Sequence, residues 1–229
     1  MIIWVIFGGI MIVSMIVQSR FKSKFKKYSE MPLSSGMTGR DVAQRMLNDS
    51  GIYDVQIIST PGQLTDHYNP ANRTVNLSPE VYSGRSIAAA AVAAHECGHA
   101  IQHAQAYSWL QFRSAMVPIV SIASRMVQWV LMIGVMVMVF SNNPTILAVG
   151  VAAFALTTLF SFVTLPVEFD ATNRALVWLD ANKGIMASSN EHAGAKDALW
   201  WAAMTYVVAA LSSLVMLLYY ASMLLGRRD

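Results

Sequence analysis

The stretch MVQWVLMIGVMVMVFSNNPTILAVGVAAFALTTLFSFVTLPV, residues 126–167, contains no charged side chain. It reads as two apolar helices joined by a tight polar turn at Ser141-Asn142-Asn143-Pro144. About 20 helical residues cross the ~30 Å of hydrocarbon in a bilayer, so each half is long enough to span. Residues 1–17 and 198–226 also lack charge. The chain of 229 residues is 55% hydrophobic and only 13% charged, whereas soluble domains are about a quarter charged. The expected fold is a mainly α, polytopic membrane protein with four transmembrane helices and a small α+β portion.

Working outward, residues 1–19 read as the first span, a retained signal anchor. A cleaved signal peptide would carry its charges before the apolar run. Here they follow it, at Arg20, Lys22, Lys24, Lys26 and Lys27, within a basic linker over 20–37. Such a cluster belongs on the cytoplasmic leaflet rather than on nucleic acid. It therefore puts the N-terminus outside and the polar portion on the cytoplasmic side. Net charge is only +3, and Cys97 is the single cysteine, so no intramolecular disulfide can form.

Residues 38–113 carry the α+β portion. Thr38 and Asp41 form a capping-box pattern for a helix that Gly51 ends, with Val42, Met46 and Leu47 as its apolar stripe. Strands are predicted at 53–59, 63–69 and 74–78, with turns at Pro61-Gly62 and Pro70-Ala71-Asn72. Three short strands need a helix to cover them, and the next one starts near Ser86. The second span covers 114–140, with Arg125 inside it, and the third covers 145–165, where Pro166 ends it. A polar helical segment fills 166–197 and the fourth span 198–226.

The helix after Ser86 contains His95-Glu96-Cys97-Gly98-His99. Histidines four apart lie on one helix face, one turn from each other, as two ligands of one metal require. Glu96 beside them is the expected general base for water that zinc activates by lowering its pKa to about 7. Gly98 leaves room next to the metal. Residues 88–94 are all Ala or Val, so this is a buried face rather than a solvated one, and buried His and Glu need partners. Cys97 points away from the metal face and reads as a small buried hydrophobe. These features make the portion zincin-like, with Zn2+ as its cofactor.

A catalytic zinc usually has three protein ligands and one open position. The H-E-x-x-H-x-x-G-x-x-H class is excluded, because Gln102 and Gln105 stand where its glycine and last histidine would be. No Asp or Glu occurs between Glu96 and Glu168. The candidates for the third ligand are Glu168, Asp170, Asp180, Glu191 and His192. His103 continues the spacing, but it lies ~6 Å further along the axis and suits a supporting role, as does Asp170. His67 reads as a surface histidine. Some strand within 63–78 is expected to hold a substrate backbone.

VAAHECGHAIQHA (92–104), LPVEFDATNRAL (165–176) and AKDALWWAAMTYVVAAL (195–211) together resemble the bacterial YugP-type neutral zinc metallopeptidases. The chain is more distantly similar to the HtpX and CAAX prenyl-protease type of membrane gluzincins. The resemblance implies zinc on His95, His99 and Glu168, with Glu96 as base. It also makes Asn173 and Arg174 candidates to touch substrate or a transition state. The HtpX type often has an aspartate four residues after its glutamate that orients the first histidine; here Thr172 stands there.

The expected function is a multi-pass cell-membrane zinc endopeptidase whose partners are a polypeptide substrate, including membrane proteins in turnover or quality control, and the lipid bilayer. A non-catalytic zinc scaffold would not need Glu96. A transporter would carry ionisable residues within several spans, and the third and fourth have none.

Overall fold

A computed structural model describes residues 2–226 of the chain. Met1 of the first span and the Arg227–Arg228 pair lie outside the described residues. Seven helices and three strands run in the order α1 (Ile2–Ser29), α2 (Gly39–Asp49), β1 (Gln56–Ser59), β2 (His67–Asn69), β3 (Thr74–Leu77), α3 (Pro79–Tyr82), α4 (Ile87–Ala104), α5 (Ser108–Ser141), α6 (Thr145–Ala181) and α7 (Ser189–Leu225). Among the described residues, four helices are long and apolar enough to cross a membrane: Val5–Ser29, Ser108–Ser141, Thr145–Ala181 and Ser189–Leu225. The protein is mainly α and polytopic with a small α+β portion, as the sequence predicts.

The chain forms two compact units. One comprises residues up to Leu110 together with Pro166–Thr205; the other comprises Gln111–Leu165 and the chain from Tyr206 onward.

In the first unit, Thr38 caps α2 and the Thr38–Asp41 capping box is complete. Ser86 caps α4, its hydroxyl accepting the amide of Ala89. The sheet has the order β1-β3-β2, with β1 parallel and β2 antiparallel to the central β3. Every residue of β3 is buried. Val42, Met46 and Leu47 of α2, Val75 and Leu77 of β3, the alanines of α4, and Ala175 and Leu179 of α6 make one core. Alanine has no side chain beyond Cβ, so a run of it lets neighbouring elements approach α4 closely on several sides. The foot of α1 is tied to α7, where Tyr28 and Lys24 both bond the Asp197 carboxylate at 2.7 Å.

In the second unit, α5 and α6 meet through glycine. A Cβ on Gly134 would fall 2.6 Å from the Leu147 Cα, and one on Gly150 would fall 3.0 Å from Leu131. Small residues allow such approaches between apolar helices. Asn142 takes a left-handed conformation, φ 53°, and Asn143 accepts the amide of Thr145 at 3.0 Å. The predicted turn is therefore built by its asparagines.

The helices outrun their predicted ends. α6 does not stop at Pro166 but continues to Ala181, and α7 begins at Ser189, so parts of the polar helical segment belong to these two helices. Proline removes one helical hydrogen bond, a loss that helices in apolar surroundings tolerate. Buried residues recur every fourth position across the proline, at Val163, Val167, Ala171, Ala175 and Leu179. α6 runs through the proline as one continuous helix.

Candidate metal centre

The centre is assembled from α4 and α6. His95 and His99 stand one turn apart on α4, with ring centroids 4.8 Å apart and planes at 82°. Glu168 faces them from α6, its side chain almost fully buried. Its Oε2 lies 3.4 Å from His95 Nε2 and 3.6 Å from His99 Nε2. These separations are long for hydrogen bonds, and Oε2 has no hydrogen-bond partner despite being buried. One donor atom from each residue lies within 4.8 Å of the others.

The donor set fits zinc. With zinc–nitrogen and zinc–oxygen bonds of about 2.0–2.2 Å, the edges of a tetrahedron are roughly 3.3–3.6 Å. The two measured edges match. A buried carboxylate oxygen without a partner is costly, and a cation between these three atoms removes that cost. Among the described residues this is the one group of at least three His, Cys, Asp or Glu so arranged.

Each imidazole is held from behind. Thr172 Oγ1 lies 3.1 Å from His95 Nδ1, and Gln102 Oε1 lies 3.0 Å from His99 Nδ1. Both Nε2 atoms are thereby turned toward Glu168. Gln102 donates in turn to the Val167 carbonyl and to Asp170 Oδ2, each at 2.8 Å. Thr172, four residues after Glu168, thus contacts the first histidine through its hydroxyl. Glu168 and Thr172 are four apart on α6, as His95 and His99 are on α4.

A Cβ on Gly98 would meet the backbone oxygen of Ala171 at 2.6 Å. The glycine makes room for the α6 backbone and so lets the two helices that carry the cluster come together.

A family model described as "Putative neutral zinc metallopeptidase" matches residues 2–225. The chain belongs to this zinc metallopeptidase family. A curated relative, "Putative membrane protease YugP" of Bacillus subtilis (strain 168), is 42% identical over 212 residues, covering 93% of this chain and 92% of the relative. No solved structure matches.

Glu96 is buried beside the histidines. Burial raises its carboxyl above the usual range, with Glu168 and Asp66 adding to the rise and the two histidines opposing it. Cys97 turns toward α2, with its sulfur 3.5 Å from the Ala43 carbonyl, and burial pushes its thiol up. It is the small buried side chain the sequence predicts.

The other candidates lie elsewhere. Asp180 pairs with Lys183 at 2.6 Å. Glu191 accepts from Ser34 and Ser188, and His192 Nε2 contacts the Met186 carbonyl at 3.2 Å. His67 Nδ1 lies 2.7 Å from its neighbour's carbonyl at Thr65. His103 Nδ1 bonds the Tyr68 hydroxyl at 2.8 Å. Asn173 is exposed. Arg174 binds Asp170 and, at 2.6 Å, Gln105 Oε1, with its guanidinium against the Tyr107 ring. Sequence reasoning missed the part played by Gln102. Its position three residues after His99, on the same helix face, was the available signal.

Proposed function

We propose that this protein is a membrane-bound zinc endopeptidase that hydrolyses internal peptide bonds of polypeptides, membrane proteins among them. The observation that carries the reading is the pair of Nε2 atoms gathered around the unpartnered Oε2 of Glu168. His95, His99 and Glu168 hold the metal, leaving a fourth position for water or substrate. Zinc, when bound, supplies Lewis acidity, making water a nucleophile near neutral pH and polarising the scissile carbonyl.

Glu96 does the proton work. Its carboxylate takes the proton from the attacking water and passes it to the leaving amine nitrogen. A buried base with a raised pKa holds that proton more readily than an exposed glutamate would. Thr172 and Gln102 keep the two imidazoles in orientation, which preserves the donor geometry through the reaction.

The substrate backbone pairs with β2, the edge strand nearest in sequence to α4 that pairs antiparallel to β3. An edge strand offers unpaired amides and carbonyls for strand addition. Tyr68 of β2 is anchored to α4 through His103, so this strand is tied to the helix that bears His95 and His99. The five basic residues from Arg20 to Lys27 support a cytoplasmic side for the catalytic portion.

The test is zinc affinity in Glu168→Ala beside Asp170→Ala, measured by chelator competition on full-length protein. Loss of a direct ligand weakens binding far more than loss of a supporting partner, which costs ~10–100-fold. If Asp170→Ala strips the metal while Glu168→Ala keeps it, the assignment is wrong.

A further inference from the structure

Gln102 is fully buried, with no exposed surface. A primary amide in such a place is costly unless all its polar atoms are engaged. It has two donor hydrogens and one acceptor oxygen. Its Nε2 faces the Val167 carbonyl and Asp170 Oδ2, both at 2.8 Å. A carbonyl can only accept, and Asp170 Oδ2 already receives the Arg174 Nε–H. The amide nitrogen must therefore sit on that side. The reversed amide would aim its oxygen at two other oxygens.

With the nitrogen so placed, Gln102 Oε1 is the atom 3.0 Å from His99 Nδ1. An amide oxygen accepts, so Nδ1 carries the hydrogen. The lone pair of the neutral ring is then on Nε2, the atom 3.6 Å from Glu168 Oε2. The same amide grips the α6 backbone at Val167, one residue before Glu168.

We propose that Gln102 is a positioning residue that fixes His99 in the tautomer a metal needs and holds the α6 backbone next to Glu168 at the correct height. The inference rests on the metal-binding reading above. Asp170 and Arg174 act one step further out. They hold Gln102 rather than touching a ligand, and Arg174 is braced in turn by Gln105 at the end of α4. At His95 the corresponding contact is the Thr172 hydroxyl, 3.1 Å from Nδ1, which can donate or accept.

The experiment uses full-length detergent-purified protein, as wild type, Gln102→Met and Gln102→Glu. Zinc affinity is read by chelator competition. The His99 tautomer is read from 15N-histidine spectra of metal-free protein, at a pH above the point where the same spectra show His99 losing its proton. Wild type shows His99 protonated at Nδ1. Gln102→Met, of similar shape but without hydrogen bonds, binds zinc ~10–100-fold more weakly and shows a mixture of tautomers. Gln102→Glu keeps an acceptor for His99 and so restores the single tautomer, while losing its donors to α6. Should Gln102→Met fail to fold, the tautomer in Gln102→Glu decides, and a mixture there contradicts the proposal. Weakened zinc binding in Gln102→Met with an unchanged His99 tautomer would reduce Gln102 to a packing role and overturn it. So would wild-type affinity together with an unchanged tautomer. A wild type that takes up no zinc overturns the metal reading itself, whatever the variants do.

Discussion

A Cβ added to Gly98 of α4 would lie 2.6 Å from the carbonyl oxygen of Ala171 on α6. The obstacle is backbone, which cannot rotate aside as a side chain can. This one close approach sets how near Glu168 and Thr172, on either side of Ala171, come to the histidines.

Gly98→Ala should therefore separate the helices and damage the site from a position that offers no donor atom. Overpacking of this kind costs about 1–3 kcal/mol. Zinc affinity is expected to fall in the variant, with its helical content retained. Wild-type affinity in Gly98→Ala would show that the approach of α4 and α6 does not govern the site.

Zinc uptake should depend on pH through His99. Burial lowers its tendency to hold a proton, but the Glu168 carboxylate 3.6 Å away, the charge of Glu96 and the bond to Gln102 outweigh burial and raise its pKa above 6.5. Zinc must displace that proton. Apparent affinity therefore rises as pH climbs through the raised value and falls below it. The metal-free protein shows the opposite trend. Its His99 contribution to stability is full below about 6.5, the unfolded value, and is lost as pH rises through the folded one. Chelator competition between about pH 5.5 and 8.5 checks this, and an affinity already level at about pH 6.5 would contradict it.

Much of the site is legible in the sequence, because helical spacing alone puts His95 and His99 on one face and Cys97 on another. Glu168 is also within reach of sequence, as the first acid after a long stretch without any. The supports are not. Thr172 and Gln102 act only because α6 lies against α4 in one rotation, and no spacing within either segment encodes that contact. Pro166 misleads for a related reason. Local propensity marks it as a helix end, but α6 runs through it unbroken, with buried residues on both sides. The parallel pairing of β1 with β3 is likewise a long-range choice that strand patterns do not reveal.

Single cysteines test the orientation in the membrane. Gln63 and Asn143 are both exposed, and the native Cys97 is buried. In intact cells an impermeant thiol reagent should miss Gln63→Cys and label Asn143→Cys, given the basic cluster after the first span. The reverse pattern would place the catalytic portion outside.

The most direct measurement follows zinc content and cleavage of an unfolded polypeptide such as casein in the same preparations of wild type and Glu96→Gln. Wild type should hold about one zinc per chain and cleave. Glu96→Gln, which keeps all three donors and loses only the base, should hold the same zinc and not cleave. Equal cleavage by a zinc-loaded Glu96→Gln would contradict the assignment of Glu96 as the proton carrier of a zinc endopeptidase.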